Sequence, residues 1–434
     1  MPAVNGSPRS GEETGLNRRG FLQTVSAFAL AAGFGVTGSS ARSVAGVGGE
    51  ELWTFETGDA VHASPTVVDD TAFVGSWDEN VYAIDAESGE EEWRFEADWD
   101  VDTSVTVVDG LAFVGSLDGN VYALDADSGE EEWRYETDGR IRSSPTVRDG
   151  MLYVGSKDGY LHAVDAGTGN REWRFEITLP VDSSPTVVDG LVFFGGGDNF
   201  LYALDADSGE EEWRFEAGVA RPLGARSSPT LYNGTVFWGS VDGRLVALTA
   251  ETGSMEWEFE TAEPIVSSPT VHDGRVFVGI DRSVYALEAE SGEDVWSFET
   301  GDVVGSSPTV ADGVVYVGSF DDNVYALDAE SGEEAWAFET GHQVFSSPTV
   351  VDGVVFVGSG DGTLYALAAE GESSSEDTRV NLGTLGHHDE WADLAGPIER
   401  SIDDDGSGFG PVAGLVGLGG AAYLAARRHV DNRE

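Results

Sequence analysis

Tryptophan recurs at nearly even intervals along this chain, and this period constrains the fold more than any other feature. The spacings are 40, 40, 40, 40, 44, 39 and 40 residues between Trp53, Trp93, Trp133, Trp173, Trp213, Trp257, Trp296 and Trp336. A period near 40 is typical of repeat proteins built either from paired helices or from four-stranded propeller blades. The content of one repeat therefore decides the fold class.

Each repeat contains four short segments rich in Val, Tyr, Phe and Trp, and each segment ends in turn residues. Residues 143–177 read SSPTVRDG, MLYVGSKDG, YLHAVDAGTG and NREWRFEI, which is a pattern of strands. Seven of the eight repeats place Asp-Gly or Asn-Gly after the first segment, which favours a type I′ hairpin, and only Asp69-Asp70 departs. Consecutive apolar residues, as in LVFFGG, indicate strands that are covered on both faces. The repeat predicts a four-stranded β-blade.

The two ends of the repeat predict a closed ring. The repeat region begins with a segment of the tryptophan-containing type, the fourth of a repeat, EELWTFET. Its last repeat stops after the third segment, TLYALAAEG. We therefore expect an all-β, eight-bladed β-propeller in which residues 50–57 supply the outer strand of the blade built from residues 344–370. Such closure removes the exposed strand edges at which sheets aggregate.

The linker between repeats carries a family resemblance. The pattern Ala-x-Asp-x-x-x-Gly-x-x-x-Trp, as in Ala83, Asp85, Gly89 and Trp93, resembles the tryptophan-docking motif of PQQ-type (pyrroloquinoline-quinone-type) propeller repeats, over residues 50–370. Five of seven linkers are complete, and Thr249 and Glu288 replace the aspartate in the others. The resemblance implies a structural joint between blades.

A second interpretation of the same loop, DADSGE, is a calcium site, because closely spaced carboxylates before a glycine suit that cation. The twelfth-position glutamate of an EF-hand would fall beyond the tryptophan, in the next strand. A turn capped by aspartate explains the loop instead.

The resemblance implies two functional classes, and a structural surface role is a third. PQQ-dependent dehydrogenases of this family use an eight-bladed ring with calcium, an aspartate base and often paired cysteines, on long insertions between blades. This chain has no cysteine and one four-residue insertion, around GVARPLGAR, so no catalytic position carries over. BamB-like members are non-catalytic docking scaffolds, whose partner does not carry over. We expect a non-catalytic scaffold without a cofactor; the alternatives are a quinoprotein dehydrogenase using PQQ and calcium, and a structural surface-layer component.

The charge excludes one class of partner and suggests an environment. The net charge is −56, with 79 acidic residues against 22 arginines and a single lysine, Lys157. Nucleic acid is excluded as a partner because phosphate binding needs a basic patch. This composition resembles proteins of halophilic archaea, whose carboxylate surfaces stay hydrated in molar salt, where the Debye length is about 3 Å.

The N-terminal residues predict export. Residues 1–45 resemble a twin-arginine signal, because Arg18 and Arg19 precede an uncharged run from Gly20 to Ala41. Small residues at Ser43 and Ala45 offer a cleavage site. The propeller is then residues 46–370.

The C-terminal residues predict a tether. Residues 371–408 are acidic and rich in Ser and Gly, with too few apolar residues to form a core. Residues 409–434 form a transmembrane or sorting segment, whose apolar run ends in Arg427 and Arg428. This segment resembles the PGF-type sorting tails of archaeal surface proteins, with Ser407 where that motif has proline. We expect the propeller at the extracellular face of the cytoplasmic membrane.

Two alternatives remain open in this tail. The apolar run could instead be a buried glycine-rich helix. The sequence HHDE at 387–390 is compatible with zinc, although adjacent residues rarely all reach one ion, and a solvated linker is the default.

The predicted site lies at the mouth of the ring. One variable residue precedes each SSPT-like segment: His62, Asp102, Arg142, Asp182, Arg226, Val266, Gly305 and Phe345. The predicted ligand-binding residues are His62, Asp102, Arg142, Lys157, Asp182 and Arg226. The cations at this mouth would attract an unknown protein or a small anionic ligand, with Trp77 and Phe320 as an apolar wall. The alternative is that these charges only pair with each other across the channel.

Overall fold

The computed structural model describes residues 48–177, 179–218, 226–371 and 374, and these residues form 32 strands. The first half holds β1 Glu51–Glu56, β2 Thr66–Val68, β3 Thr71–Gly75, β4 Asn80–Asp85, β5 Glu91–Glu96, β6 Thr106–Val108, β7 Leu111–Gly115, β8 Asn120–Asp125, β9 Glu131–Glu136, β10 Thr146–Arg148, β11 Met151–Gly155, β12 Tyr160–Asp165, β13 Arg171–Glu176, β14 Thr186–Val188, β15 Leu191–Gly195 and β16 Phe200–Asp205. The second half holds β17 Glu211–Glu216, β18 Thr230–Tyr232, β19 Thr235–Gly239, β20 Arg244–Thr249, β21 Met255–Glu260, β22 Thr270–His272, β23 Arg275–Ile280, β24 Ser283–Glu288, β25 Asp294–Glu299, β26 Thr309–Ala311, β27 Val314–Gly318, β28 Asn323–Asp328, β29 Glu334–Glu339, β30 Thr349–Val351, β31 Val354–Gly358 and β32 Thr363–Ala368.

The strands form eight antiparallel, four-stranded blades. Blade 1 is β2–β5, and each following set of four strands forms the next blade up to blade 7, β26–β29. Blade 8 has the order β1-β32-β31-β30, with Trp53 opposite Ala366 and Phe55 opposite Leu364. The innermost strands contact one another in cyclic order, including β2 with β30. The predicted eight-bladed propeller, closed by its N-terminal outer strand, is confirmed.

The first hairpin of each blade has the turn that its sequence predicts. Asp109 and Gly110 have φ angles of 52° and 77°, as a type I′ turn requires. The exceptional pair, Asp69-Asp70, adopts the same turn with φ angles of 48° and 71°. Aspartate tolerates this region better than most residues, so the one missing glycine does not change the hairpin.

Side chains of the SSPT-like segments join neighbouring blades around the channel. The hydroxyl of Thr106 donates to the carbonyl of Pro145 in the next blade at 2.6 Å, and the ring closes where Thr349 donates to the carbonyl of Pro65. The amide of Ser104 likewise donates to the hydroxyl of Ser144 at 3.0 Å. All eight inner strands keep this threonine, and Val105 replaces the proline in blade 2, where Thr66 donates to its carbonyl. The threonine hydrogen bonds therefore form a continuous belt that fixes the mouth residues just ahead of it.

The tryptophans dock each blade onto the next. The Trp93 indole nitrogen donates to the carbonyl of Ala126 at 3.0 Å, and its ring packs on Gly129. The motif aspartate acts within its own loop instead, where Asp125 Oδ1 accepts hydrogen bonds from the amide and hydroxyl of Ser128. The interpretation of DADSGE as a turn capped by aspartate is therefore confirmed.

The eighth joint is assembled from both ends of the propeller. Gly49 takes the place of the motif glycine, with φ +81° and its Cα against the Trp336 ring. Its amide donates to the carbonyl of Ala368 at 2.8 Å, and the amide of Ala368 donates to the carbonyl of Glu50. The N-terminal segment thus contributes a docking glycine as well as a strand.

Several predicted segments lie outside the described residues. These are the export signal over residues 1–45, most of the tether over 371–408, the HHDE sequence, the C-terminal segment over 409–434, and residues 219–225 of the insertion. Within the ranges that the structure describes, no helix has the length and hydrophobicity to cross a bilayer.

Candidate functional site

The mouth of the ring is built by two sets of loops. The loop that enters each inner strand carries the variable residue ahead of SSPT, and the loop between the second and third strands reaches toward the next blade. Thus Trp77 of blade 1 meets Asp102 of blade 2, Lys157 of blade 3 meets Asp182 of blade 4, and Phe320 of blade 7 meets Phe345 of blade 8. The repeat therefore brings these variable residues into adjacent positions.

One side of the mouth is an aromatic arc, formed by Trp77, His62, Phe345 and Phe320. The ring centroids are 4.2 Å apart for His62 and Trp77, and 4.3 Å for His62 and Phe345. Phe320 and Phe345 are 4.1 Å apart. A Cβ on Gly305 would lie 2.5 Å from the Phe320 ring, so only glycine leaves room for it there. The arc spans blades 7, 8 and 1.

Asp102 links this arc to the charged side of the mouth. Its Oδ1 accepts a hydrogen bond from the Trp77 indole at 2.9 Å and lies 3.8 Å from His62 Nδ1. Its Oδ2 lies 3.5 Å from Arg142 Nε, within ion-pair distance but without hydrogen-bond geometry. Three of the predicted residues, His62, Asp102 and Arg142, therefore form one cluster.

Lys157 and Asp182 form a second pair, and Arg226 stands apart. Lys157 Nζ donates to Asp182 Oδ2 at 3.3 Å. The Asp182 side chain is only 9% exposed, and its Oδ1 has no hydrogen-bond partner within the described residues. Buried Arg142 Nε also lacks a hydrogen-bond partner there. Arg226 is exposed, and no hydrogen bond or ion pair joins it to the described part of the mouth.

The surroundings of His62 favour its neutral form. Burial lowers the pKa of the imidazole below its usual value, and nearby Arg142 lowers it further, whereas Asp102 acts in the opposite direction. His62 therefore binds fewer protons in the folded chain than in the unfolded chain just below pH 6.5. The mouth carries less positive charge near neutral pH than its residue types suggest.

This pKa direction predicts a pH dependence of stability. A group whose pKa is lowered by folding stabilises the folded state above its unfolded pKa, and that stability is lost as the pH falls below about 6.5. We expect His62→Gln to reduce the loss of unfolding free energy between pH 7.5 and pH 5, measured by urea denaturation. Histidines that do not interact with His62 cancel in the difference, whereas His342, whose charge lowers the pKa of His62, contributes to it. Parallel curves for the two chains would contradict this expectation.

Sequence reasoning missed a second aromatic feature on this face. Trp99, in the loop that enters blade 2, is 43% exposed, and the Arg140 guanidinium lies 4.5 Å from its ring centroid. A signal was available, because Trp77, Trp99, Trp238 and Trp391 fall outside the 40-residue series. Trp238 is buried, and its indole donates to the carbonyl of Ser227. A tryptophan outside the series is therefore not always exposed at the mouth.

A family model described as outer membrane protein assembly factor BamB matches overlapping stretches of the chain. The matches cover residues 37–146, 78–179, 118–232, 219–302 and 280–374. The PGF-CTERM motif matches residues 408–428, which confirms the PGF-type tail. The chain is thus a PQQ-type propeller with the C-terminal motif of an exported, surface-anchored protein.

Solved structures share this fold at low sequence identity. BamB from Moraxella catarrhalis is 20% identical with a TM-score of 0.65, over 73% of this chain and 99% of that one. The computationally designed Ika8 protein is 17% identical with a TM-score of 0.66, over 74% and 100%. The quinohemoprotein alcohol dehydrogenase from Comamonas testosteroni is 18% identical with a TM-score of 0.64, over 74% and 77%.

These likenesses concern the fold alone. No curated protein sequence matches the chain. Because the family matches together run from residue 37 to residue 374, the chain belongs to the propeller family described as outer membrane protein assembly factor BamB.

Proposed function

We propose that this protein is a non-catalytic binding scaffold, exported by the twin-arginine route and held at the extracellular face of the cytoplasmic membrane. It binds a protein or a small anionic ligand at the mouth of the ring. The paired Arg18 and Arg19 support the export route, and the apolar run before Arg427 supports retention at the membrane. The short loops between blades support a role without catalysis, since they leave little room for catalytic insertions.

The observation that carries this proposal is the combination of buried, unpartnered polar atoms with an aromatic wall. Asp182 Oδ1 and Arg142 Nε are both buried without a hydrogen-bond partner in the described residues. A buried polar group left unsatisfied costs about 1–3 kcal/mol, which a ligand that bonds to it would recover. Arg142 Nε can donate to an anionic group, whereas Asp182 Oδ1 only accepts and would need a hydroxyl or amide N–H of the ligand. The arc beside them offers apolar contact, and Arg142 and Arg226 offer the bidentate geometry that carboxylates and phosphates prefer.

The same geometry also supports the alternative that the mouth charges only pair with each other and stabilise the ring. Asp102 faces Arg142, and Asp182 faces Lys157, so two of the three cations are partly neutralised. Whether the mouth binds an anion therefore depends on how much attraction Arg142 and Arg226 retain.

Replacing both arginines separates the two hypotheses. We expect R142A/R226A to bind citrate and inorganic phosphate roughly 10- to 100-fold more weakly than the parent, because hydrogen bonds to charged groups contribute about 1.5–3 kcal/mol. Its melting temperature should stay close to that of the parent. Calorimetric titration at constant ionic strength measures the first effect, and thermal unfolding the second.

The matched control is R94A/R214A, which removes two arginines from outer strands, where each faces a glutamate three residues earlier. It lowers the positive charge equally but should leave anion binding unchanged. A large loss of stability in R142A/R226A with binding unchanged would mean that the mouth charges are structural only.

The quinoprotein alternative requires PQQ and calcium. Within the described ranges, no three His, Asp or Glu side chains gather as ligands for a metal ion. We assign no reaction step to the chain. Titration with PQQ and Ca²⁺ in molar salt decides the matter, because stoichiometric changes in absorbance would favour the dehydrogenase.

A further inference from the structure

A cavity of about 360 Å³ opens between blades 1 and 2, at the end of the strands opposite the mouth. Its lining is mixed and slightly more polar than apolar; the apolar part, which forms the floor, includes Val68 and Phe73 of blade 1 and Val107 and Val108 of blade 2. Small-molecule sites in proteins are typically concave, with volumes of about 300–1,000 Å³ and apolar walls. The cavity is therefore large enough for a small organic molecule.

One repeat position that borders the cavity holds a small residue in blade 1. The first residue of the second strand is Thr71 in blade 1, but Leu111, Met151 and Leu191 in blades 2, 3 and 4, where these side chains pack into the hydrophobic core between blades. In blade 6 the equivalent Arg275 fills the groove by donating to the carbonyl of Ala329 at 2.8 Å.

Blade 5 also has a threonine at this position, Thr235, but its neighbour differs. The last residue of the inner strand is Tyr232 there, and this ring packs against the core between blades 5 and 6. Blade 1 has the smaller Val68 at that place. Blades 7 and 8 also have small residues at both positions, Ala311 with Val314 and Val351 with Val354, so Thr71 and Val68 border the cavity but do not by themselves account for it.

Carboxylates surround the entrance to this cavity. Asp69 lies on the blade 1 side, and Asp109 and Asp127 lie on the blade 2 side. All three are exposed, and no cation of the described residues forms an ion pair with any of them. An apolar floor beneath negative charges complements a molecule that has a hydrocarbon body and one positive charge.

We infer that this cavity binds a small organic monocation, an alkyl- or aryl-ammonium ion, with its hydrocarbon part on the valine and phenylalanine floor and its ammonium group among the aspartates. This inference is independent of the function proposed for the mouth. It concerns other loops and a ligand of the opposite charge.

The repeat provides variants that should fold. Leucine stands at the position of Thr71 in blades 2 and 4, so Thr71→Leu fills the cavity with a side chain that the fold already accepts. Asn233 stands at the position of Asp69 and Asp109, with φ 49° against their 48° and 52°, so aspartate-to-asparagine changes keep the turn. Asp273 and Asp352 occupy the same position, with φ 48° each, and neither lines the cavity: Asp273 is in blade 6, and Asp352 is in blade 8, on the other side of blade 1.

The experiment is calorimetric titration of the full chain with phenethylammonium chloride at constant salt. We expect the parent to bind one equivalent saturably. Binding should be roughly tenfold weaker or absent in both T71L and D69N/D109N, and a tenfold change in affinity corresponds to about 1.4 kcal/mol. The control pair D273N/D352N removes the same charge, and T235L makes the same substitution in blade 5. Both controls should bind like the parent.

Several results would overturn the inference. They are the absence of saturable binding by the parent, undiminished binding by T71L, equal weakening by D273N/D352N, or equally strong binding of the uncharged analogue 2-phenylethanol. Thermal unfolding of each variant verifies that it is folded. If T71L does not fold, the comparison of the two aspartate pairs still decides the result.

Discussion

Removal of residues 46–58 is expected to destroy the cooperative unfolding of the propeller and to cause aggregation. The deletion takes away β1, so β32 becomes an exposed edge that can pair with other chains. It also removes Trp53, whose indole donates to the carbonyl of Ala86 at 3.1 Å, and Gly49, on which Trp336 docks. Blades 7, 8 and 1 are therefore all damaged by one deletion.

The expected loss is large because Trp53 packs against the core between blades 8 and 1. Burial of one tryptophan contributes roughly 4 kcal/mol at about 25 cal/mol per Å² of apolar area. A chain that begins at residue 46 is the control, since it keeps the closing strand. Urea unfolding and light scattering measure the two effects, and a deletion variant as stable and soluble as the control would contradict the role of β1.

Transfer from molar salt to dilute buffer is expected to unfold the chain. Residues 46–408 hold 75 acidic and 16 basic residues, a net charge of −59, and self-repulsion of this size opposes a compact state. The Debye length grows from about 3 Å at 1 M to about 30 Å at 0.01 M salt, so dilution restores this repulsion. The prediction rests on the proposed halophilic environment.

The melting temperature, measured from 3 M to 0.01 M KCl, should fall until the folded state is lost. Sucrose at matched osmolality is the control, because it favours the compact state without screening charge and should restore stability only in part. A melting temperature that stays constant across the salt range would show that the carboxylates do not require molar salt.

The candidate site was predictable in position but not in its contacts. The repeat register places His62, Asp102, Arg142 and Asp182 at equivalent points of four blades, so their gathering at one mouth follows from the period alone. The sequence does not indicate that Asp102 accepts from Trp77, or that His62 packs between two aromatic rings. These contacts depend on the distance between adjacent blades and on side-chain rotamers, which a repeat pattern does not encode.

The cavity between blades 1 and 2 illustrates the same limit. Every repeat has a residue at the position of Thr71, and its size is visible in the sequence, but whether a small residue opens a groove depends on the neighbouring blade. Thr71 pairs with Val68 beside the cavity, but Val354 pairs with the equally small Val351 in blade 8, so the residues of one hairpin do not decide whether a groove stays open. Packing between elements far apart in the chain decides the outcome.

The sequence by itself determined the strand content, the eightfold ring, its closure by the first strand and the turn at each hairpin. These features follow from local and periodic signals, namely the apolar pattern of the strands, the turn residues and the spacing of about 40 residues. The same signals recur in every repeat. The tertiary structure alone decided which mouth charges pair, which polar atoms stay unpartnered and where a cavity remains. These depend on non-local packing at single positions where the repeats differ, and periodicity contains no information about such differences.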